Sequence, residues 1–339
     1  MRHDDRAPAS PAQSSVGGGI GRGAKPPSEG TAPSEKKPPS EVKFRAGFVA
    51  LVGRPNAGKS TLLNRLVGEK LAIVSPRPQT TRNRITGIAN QPGAQIVFVD
   101  TPGIHQAVGK LGQFMARTVE RALEDVDLVC VVVDATQREH PDAMVVAALR
   151  AQSAPAFCLL NKADAVEPRA RMLPLLDAWR QAYPFRELLP ISAREGLNGD
   201  RLLDLIVAGL PEHPPFFPPD TTTDQPETFY VAELIREKVF HFIHQEVPYA
   251  VAVRVDDLLE VEAPPRLDIR ATVFIERESQ KGIVIGKGGQ MLKRIGTAAR
   301  QELERFFGIQ VFLGLTVAVR PGWRKDARAL REFGFMLTS

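Results

Sequence analysis

The chain has 339 residues, 44 of them basic and 39 acidic, with hydrophobic residues at 43% and charged residues at 24%. This length gives room for about two domains with a sizeable core, and the balance is that of an ordinary globular protein. Apolar runs reach strand length only, well short of the ~20 residues that a membrane-spanning helix needs, and two cysteines cannot make a disulfide scaffold or a cysteine-rich zinc module.

Residues 1–43 hold 19 Pro, Gly and Ser and only three Val, Ile, Leu or Phe, so they bury too little to offset chain entropy and read as a disordered tail. Acidic Asp4 and Asp5 and the lack of an apolar core argue against a secretory signal. From Phe44 the pattern changes. GFVALV (47–52), IVFVD (96–100), LVCVVVD (128–134), AFCLL (156–160) and LLPI (188–191) read as short buried strands. Helical patterns over 111–126, 141–152, 170–182 and 199–210 separate them. RITGIAN (84–90) reads as an extra strand, an antiparallel edge. Strands alternating with helices predict an α/β domain, a mostly parallel sheet covered by helices on both faces. Cys130 and Cys158 fall inside two of these strands and read as buried reduced thiols, which suits the cytoplasm.

Six prolines in 210–227 mark a linker (213–228) between a first domain at 44–212 and a second at 229–322. The second domain reads as helix (229–246), strand (249–257), strand (268–277), glycine-rich loop (286–289), helix (289–306) and strand (310–319). Residues 276–339 carry 12 basic and 6 acidic residues, whereas 44–228 carry 20 of each. A polyanionic partner is expected at that basic end, including the extension 323–339.

Four segments carry nucleotide chemistry. Gly53, Arg54, Pro55, Asn56, Ala57, Gly58, Lys59 and Ser60, with Thr61 following, fit G-x-x-x-x-G-K-[ST] between a strand and a helix. Backbone N–H groups and the helix N-terminus would cradle phosphates, Lys59 would reach the β/γ oxygens, and the Ser60 hydroxyl would ligate Mg²⁺. Asp100-Thr101-Pro102-Gly103 ends a buried strand, where a carboxylate on the Mg²⁺ side belongs; the Gly103 N–H would bond the γ-phosphate. Asn161, Lys162 and Asp164 follow AFCLL. A carboxylate there accepts from guanine N1–H and N2–H₂, and adenine lacks those donors. Ser192, Ala193 and Arg194 follow LLPI and would offer backbone donors to guanine O6.

GRPNAGKST, QTTR (79–82), DTPGIH, NKAD and SAREG resemble the motifs of the translation-factor class of GTPases, and most of all those of the Era-like family. The resemblance runs from about 44 to 323. It implies GTP and GDP as ligands with Mg²⁺, and Thr81 as a further Mg²⁺ ligand in the GTP state, with Thr80 as the alternative. Lys59, Thr81 and Gly103 would then be the catalytic set. Ile104 stands where Ras-like enzymes carry a water-orienting glutamine, so slow intrinsic turnover is expected. Asn56 matches an asparagine that related enzymes use to hold K⁺.

Gly286-Lys287-Gly288-Gly289 lets a nucleic-acid backbone approach closely, and with Lys281, Ile285, Lys293 and Arg294 it forms the candidate RNA surface. The resemblance makes this half an α+β KH domain of type II. It implies the 3′ end of 16S ribosomal RNA and the 30S subunit as partners, in a monomeric cytoplasmic protein. The alternative is a signalling GTPase peripheral on the inner membrane, its basic end against anionic lipid. His241 and His244 lack a third ligand and read as structural rather than zinc-binding.

Overall fold

The computed structural model describes residues 43–75, 77–137 and 140–335; the tail expected at 1–43 lies outside them but for its last residue. Six strands form the first sheet: β1 (Arg45–Val52), β2 (Ile85–Gln91), β3 (Ala94–Asp100), β4 (Leu128–Asp134), β5 (Ala156–Asn161) and β6 (Glu187–Pro190). Their order is β2-β3-β1-β4-β5-β6, parallel throughout except for the edge strand β2, which runs antiparallel to β3. Alternation along β1 splits its side chains between two cores. Val49 and Leu51 face α1 (Lys59–Val67) and α5 (Gly199–Gly209). Ala50 and Val52 face α2 (Gly109–Glu124), α3 (Ala143–Arg150) and α4 (Met172–Ala182). Both cysteines are buried and free, one in each core.

The second half comprises α6 (Glu227–Phe242), β7 (Ala252–Glu262), β8 (Pro265–Ile275), α7 (Glu278–Ile285), α8 (Gln290–Phe307) and β9 (Gln310–Val319). β8 lies between β7 and β9, antiparallel to the first and parallel to the second. The parallel β8–β9 pair needs a crossover, and α7 with α8 supplies it. The α-β-β-α-α-β order contains a helix, α7, that hydrophobic patterning alone leaves out. ESQKGIVI carries an interior glycine and ends in β-branched residues, so its propensity is poor. A capping box between Arg277 and Gln280 starts it, and Val284 anchors it in the core.

Two segments differ from expectation. The proline-rich stretch before α6 is a strap bonded along the sheet edge. Gln95, fully buried, accepts from the Phe216 and Phe217 N–H groups (2.8 and 3.0 Å) and donates to the Phe217 carbonyl (2.9 Å). The Ile88 N–H donates to the Thr222 carbonyl (2.8 Å). The strap therefore satisfies backbone groups on β2 that an edge strand leaves open. The basic C-terminal extension, described as far as Phe335, is folded back onto the protein. Trp323 is fully buried, and with Leu330, Phe333 and Phe335 of the segment around α9 (Ala327–Glu332) it packs on Leu111 and Met115 of α2 and on Phe274. Arg324 pairs with Glu276. The aromatic side chains of this stretch and Leu330 are buried, while Lys325, Arg328 and Arg331 stay exposed.

Candidate nucleotide site and nucleic-acid surface

The phosphate loop joins β1 to α1. Gly53 (φ 146°) and Gly58 (φ 99°) hold conformations that other residues resist, and a Cβ on either would strike the Val132 carbonyl or the Asn161 amide. Lys59 is buried, with Nζ turned to the Gly53 and Arg54 carbonyls (3.4 and 3.2 Å). Burial lowers its pKa, and the Asp100 carboxylate partly restores it.

Ser60, Thr81 and Asp100 come from α1, the loop before β2 and the end of β3, and the fold brings all three together. The Ser60 hydroxyl donates to Asp100 Oδ2 at 2.6 Å and lies 2.8 Å from Thr81 Oγ1, itself 3.5 Å from that carboxylate. Burial pushes the Asp100 carboxyl up to about 6. Asp100 Oδ1 is buried without a hydrogen-bond partner. A hard cation takes oxygen ligands, and two hydroxyls beside a carboxylate with an orphaned oxygen fit Mg²⁺. Thr81 is buried with its hydroxyl against Ser60 and Asp100, which favours it over half-buried Thr80.

Gly103 sits against Pro55, where a Cβ would approach the Pro55 nitrogen to 2.5 Å; no other residue fits. The next N–H, of Ile104, donates to the Gly53 carbonyl (2.9 Å), while the isoleucine side chain packs with Ala50 and Val52. Ile104 therefore pins the phosphate loop and points into the core. His105 Nδ1 lies 2.6 Å from the Gly103 carbonyl, which ties the ring to the loop backbone.

At the other end of the cleft, buried Asn161 donates to the Ala57 carbonyl (2.8 Å) and accepts from the Ala193 N–H (2.9 Å). One side chain thus binds the phosphate loop to both candidate guanine loops. Lys162 takes a left-handed backbone (φ 64°) and pairs with Asp134 (2.6 Å). The Ser192 hydroxyl foremost, and the Arg194 guanidinium 2.9 Å away, hold the Asp164 carboxyl below its ordinary range, so it is an anion at neutral pH. Arg54, Pro55 and Ala57 also line a cavity that continues to Asp142 and Trp179.

In the second half, Gly286 (φ 73°) must be glycine: a Cβ there would meet the Met291 Cβ at 2.7 Å. Gly288 and Gly289 have positive φ with open space around them, so backbone is presented outward at the start of α8. Lys287, Lys293 and Arg294 are exposed, with Arg294 over the Phe242 ring (4.3 Å); Lys281 and Ile285 are half-buried beside them. Ile283, 46% exposed on α7, belongs to this surface and escapes a reading keyed to charge. His244 meets Arg77, and among the described residues no group of three His, Cys, Asp or Glu could hold a metal.

Sequence reasoning misses Arg82 and Arg236. Arg82, 2% exposed, leaves the candidate Mg²⁺ loop and enters the second half. There it donates to the carbonyls of Val251 (2.6 Å), Tyr249 (3.0 Å) and Pro248 (3.3 Å). Arg236, equally buried on α6, pairs with Glu233 and donates to the Thr80 carbonyl. No sequence signal marks Arg82, because its partners are backbone oxygens.

Fold and site together define a P-loop GTPase joined to a KH domain. Family models agree: one described as a 50S ribosome-binding GTPase matches residues 48–162, and one described as a KH domain matches 246–324. GTPase Era of Geobacter metallireducens is 50% identical over 297 residues, covering 87% of this chain and 99% of that protein, and the chain belongs to the Era family of GTPases. GTPase Era of Syntrophus aciditrophicus is also 50% identical, over 295 residues, covering 87% of this chain and 96% of that one. Among solved structures, Era in complex with MgGDPNP and nucleotides 1506–1542 of 16S ribosomal RNA superposes with a TM-score of 0.83 at 40% identity. A variant of Aquifex aeolicus Era bound to GDP and AlF₄⁻ gives 0.84, also at 40%. Each covers 87% of this chain and 100% of its own. No helix among the described residues is long and apolar enough to cross a membrane.

Proposed function

We propose that the chain is a Mg²⁺-dependent GTP switch that binds the 3′ end of 16S ribosomal RNA through its KH domain and acts in assembly of the 30S subunit. The observation that carries the GTP half is the convergence of Ser60, Thr81 and Asp100 within hydrogen-bonding reach, at the mouth of a phosphate loop. Bound there, Mg²⁺ would neutralise charge developing on the transferred phosphoryl group. Ser60, Thr81 and Asp100 would hold it. Lys59 would break its carbonyl contacts to meet the β/γ oxygens, and the Gly103 N–H would orient the γ-phosphate. Asp164 would read guanine, with Lys162 along the base and Ala193 and its neighbours at O6. Ile104 cannot orient water, which supports slow turnover.

For the RNA half, the support is the outward backbone of Gly286–Gly289 flanked by Lys287, Lys293 and Arg294. The chain's Era relatives, one of them solved with that RNA segment, supply the identity of the ligand. A 30S partner implies a cytoplasmic location. The membrane reading is weaker, because the aromatic core of the C-terminal extension faces α2 and is not displayed for lipid. The test is a titration of a fluorescent 16S 3′-end oligonucleotide with the full chain in GTP-analogue and GDP forms. Saturable binding at equimolar stoichiometry is expected; equal binding of an unrelated oligonucleotide would refute it.

A further inference from the structure

We propose that Arg82 and Arg236 are positioning residues for GTP hydrolysis: a reciprocal pair of buried arginines through which the KH domain holds Thr81 at the Mg²⁺ site. The proposal rests on the reading of Thr81 as a Mg²⁺ ligand.

Thr80, Thr81 and Arg82 are consecutive; the outer two are held by the KH half and the middle one by the GTPase half. Thr81 faces Ser60 and Asp100 in the GTPase half. The carbonyl before it, of Thr80, accepts from Arg236 on α6 of the KH half. The side chain after it, of Arg82, inserts into a cage of three KH-half carbonyls. Rings of Phe240 and Trp323 close over that guanidinium at 6.0 and 5.9 Å. Trp323 is itself fixed, its indole N–H donating to the Ala250 carbonyl at 2.9 Å.

The chemistry of the cage bears on the role. Burying a guanidinium against neutral carbonyls is costly, and burial pushes the Arg82 pKa well below its usual value. A hydrophobic side chain would make a cheaper interface, so stability alone does not account for two cations here. What the arginines add is direction. A planar fork fixes the backbone on each side of Thr81 to hydrogen-bond precision, as one apolar contact cannot. Catalytic groups need that precision, because a displacement of about 1 Å is felt strongly in rate. The GTPase half alone gives the loop no comparable support at Thr80 or Arg82 among the described residues: the contacts of the Thr80 carbonyl and the Arg82 side chain run to the KH half.

The test uses the full chain and the variants Arg82→Ala, Arg82→Lys, Arg236→Lys and Thr81→Ala. Mg²⁺ is titrated against protein carrying a fluorescent non-hydrolysable GTP analogue, and separately a GDP analogue. Hydrolysis is measured in parallel as kcat and KM. Arg82→Ala and Arg236→Lys should raise the half-saturating Mg²⁺ of the GTP-analogue form about tenfold, the size of one lost charged hydrogen bond. The GDP form should not change. The effect on hydrolysis should fall on kcat, with KM for GTP within about twofold. Arg82→Lys keeps the charge but not the planar fork, so it should recover only part of the loss. Thermal melts identify any variant that fails to fold, and Arg82→Lys and Arg236→Lys keep the charge and volume that folding requires. If Thr81→Ala weakens Mg²⁺ binding in the GTP-analogue form while Arg82→Ala and Arg236→Lys match wild type, the positioning role is wrong. If Thr81→Ala itself leaves Mg²⁺ binding unchanged, the assignment of Thr81 fails and the proposal falls with it.

Discussion

Base selectivity concentrated in one carboxylate makes a sharp prediction for Asp164→Asn. In the structure this carboxyl is anionic, held low by the Ser192 hydroxyl and by Arg194 at 2.9 Å. Guanine would present two donors to it, N1–H and N2–H₂. A hydrogen bond to a charged group contributes about 1.5–3 kcal/mol, and the amide keeps one acceptor while turning a donor toward a donor. The net loss for GTP should be about 3 kcal/mol, or roughly a hundredfold in Kd. Xanthine carries an acceptor at position 2, so xanthosine triphosphate should gain where GTP loses. The substitution also removes the ion pair with Arg194, but that arginine is 76% exposed and such surface pairs contribute little. Arg194→Ala is the control and should shift GTP affinity by less than about fivefold. Equilibrium titration with fluorescent GTP and XTP analogues measures all three proteins. An unchanged GTP-to-XTP preference in Asp164→Asn would remove Asp164 from the base site.

Other expectations address the remaining parts. Asp100 has its pKa raised by burial to about 6 from 3.8, so the folded chain binds that proton more tightly than the unfolded chain. Stability from this group is fully present below pH 3.8 and lost as pH rises through about 6. In chelator, Asp100→Asn should flatten the wild-type fall in Tm between pH 5 and 7.5; parallel curves would show that Asp100 is not the group responsible. Replacing Lys287 and Gly288 together by Asp puts two carboxylates on the outward loop, where space is open at Gly288, and should abolish binding of the 16S 3′-end oligonucleotide with nucleotide affinity intact. Gln95→Ala deletes three contacts to the proline-rich strap and should lower unfolding free energy by about 2 kcal/mol in urea titrations. Asn56, at φ 63°, is proposed to hold K⁺: turnover should be faster in K⁺ than in matched Na⁺, and Asn56→Asp should erase the difference, whereas equal rates in the wild type would exclude the ion.

What could be read from the sequence, and what could not, separates along a physical line. Buried strands and the loops at their ends were legible because they are local: GFVALV runs straight into GRPNAGKST, and the chemistry of a phosphate loop needs glycine and lysine at fixed offsets. Alternation of strands and helices predicts a parallel sheet with one antiparallel edge, while the order β2-β3-β1-β4-β5-β6 is visible only in the fold. α7 was hidden because its stability comes from Val284 in the core and from a capping box, not from propensity. The packing of the C-terminal end is not legible from its charge, because Trp323, Phe333 and Phe335 decide where the segment goes. Arg82 was hidden for another reason. An arginine that pairs with a carboxylate leaves a partner in the sequence to look for; one that pairs with three carbonyls leaves none, since every residue has a carbonyl. QTTR therefore reads as one candidate ligand followed by an unassigned arginine, and the fold buries that arginine in the second half. Interfaces between a switch loop and a second domain are where such backbone-directed contacts are expected, because they hold the loop firmly while leaving its other side chains free to face the nucleotide.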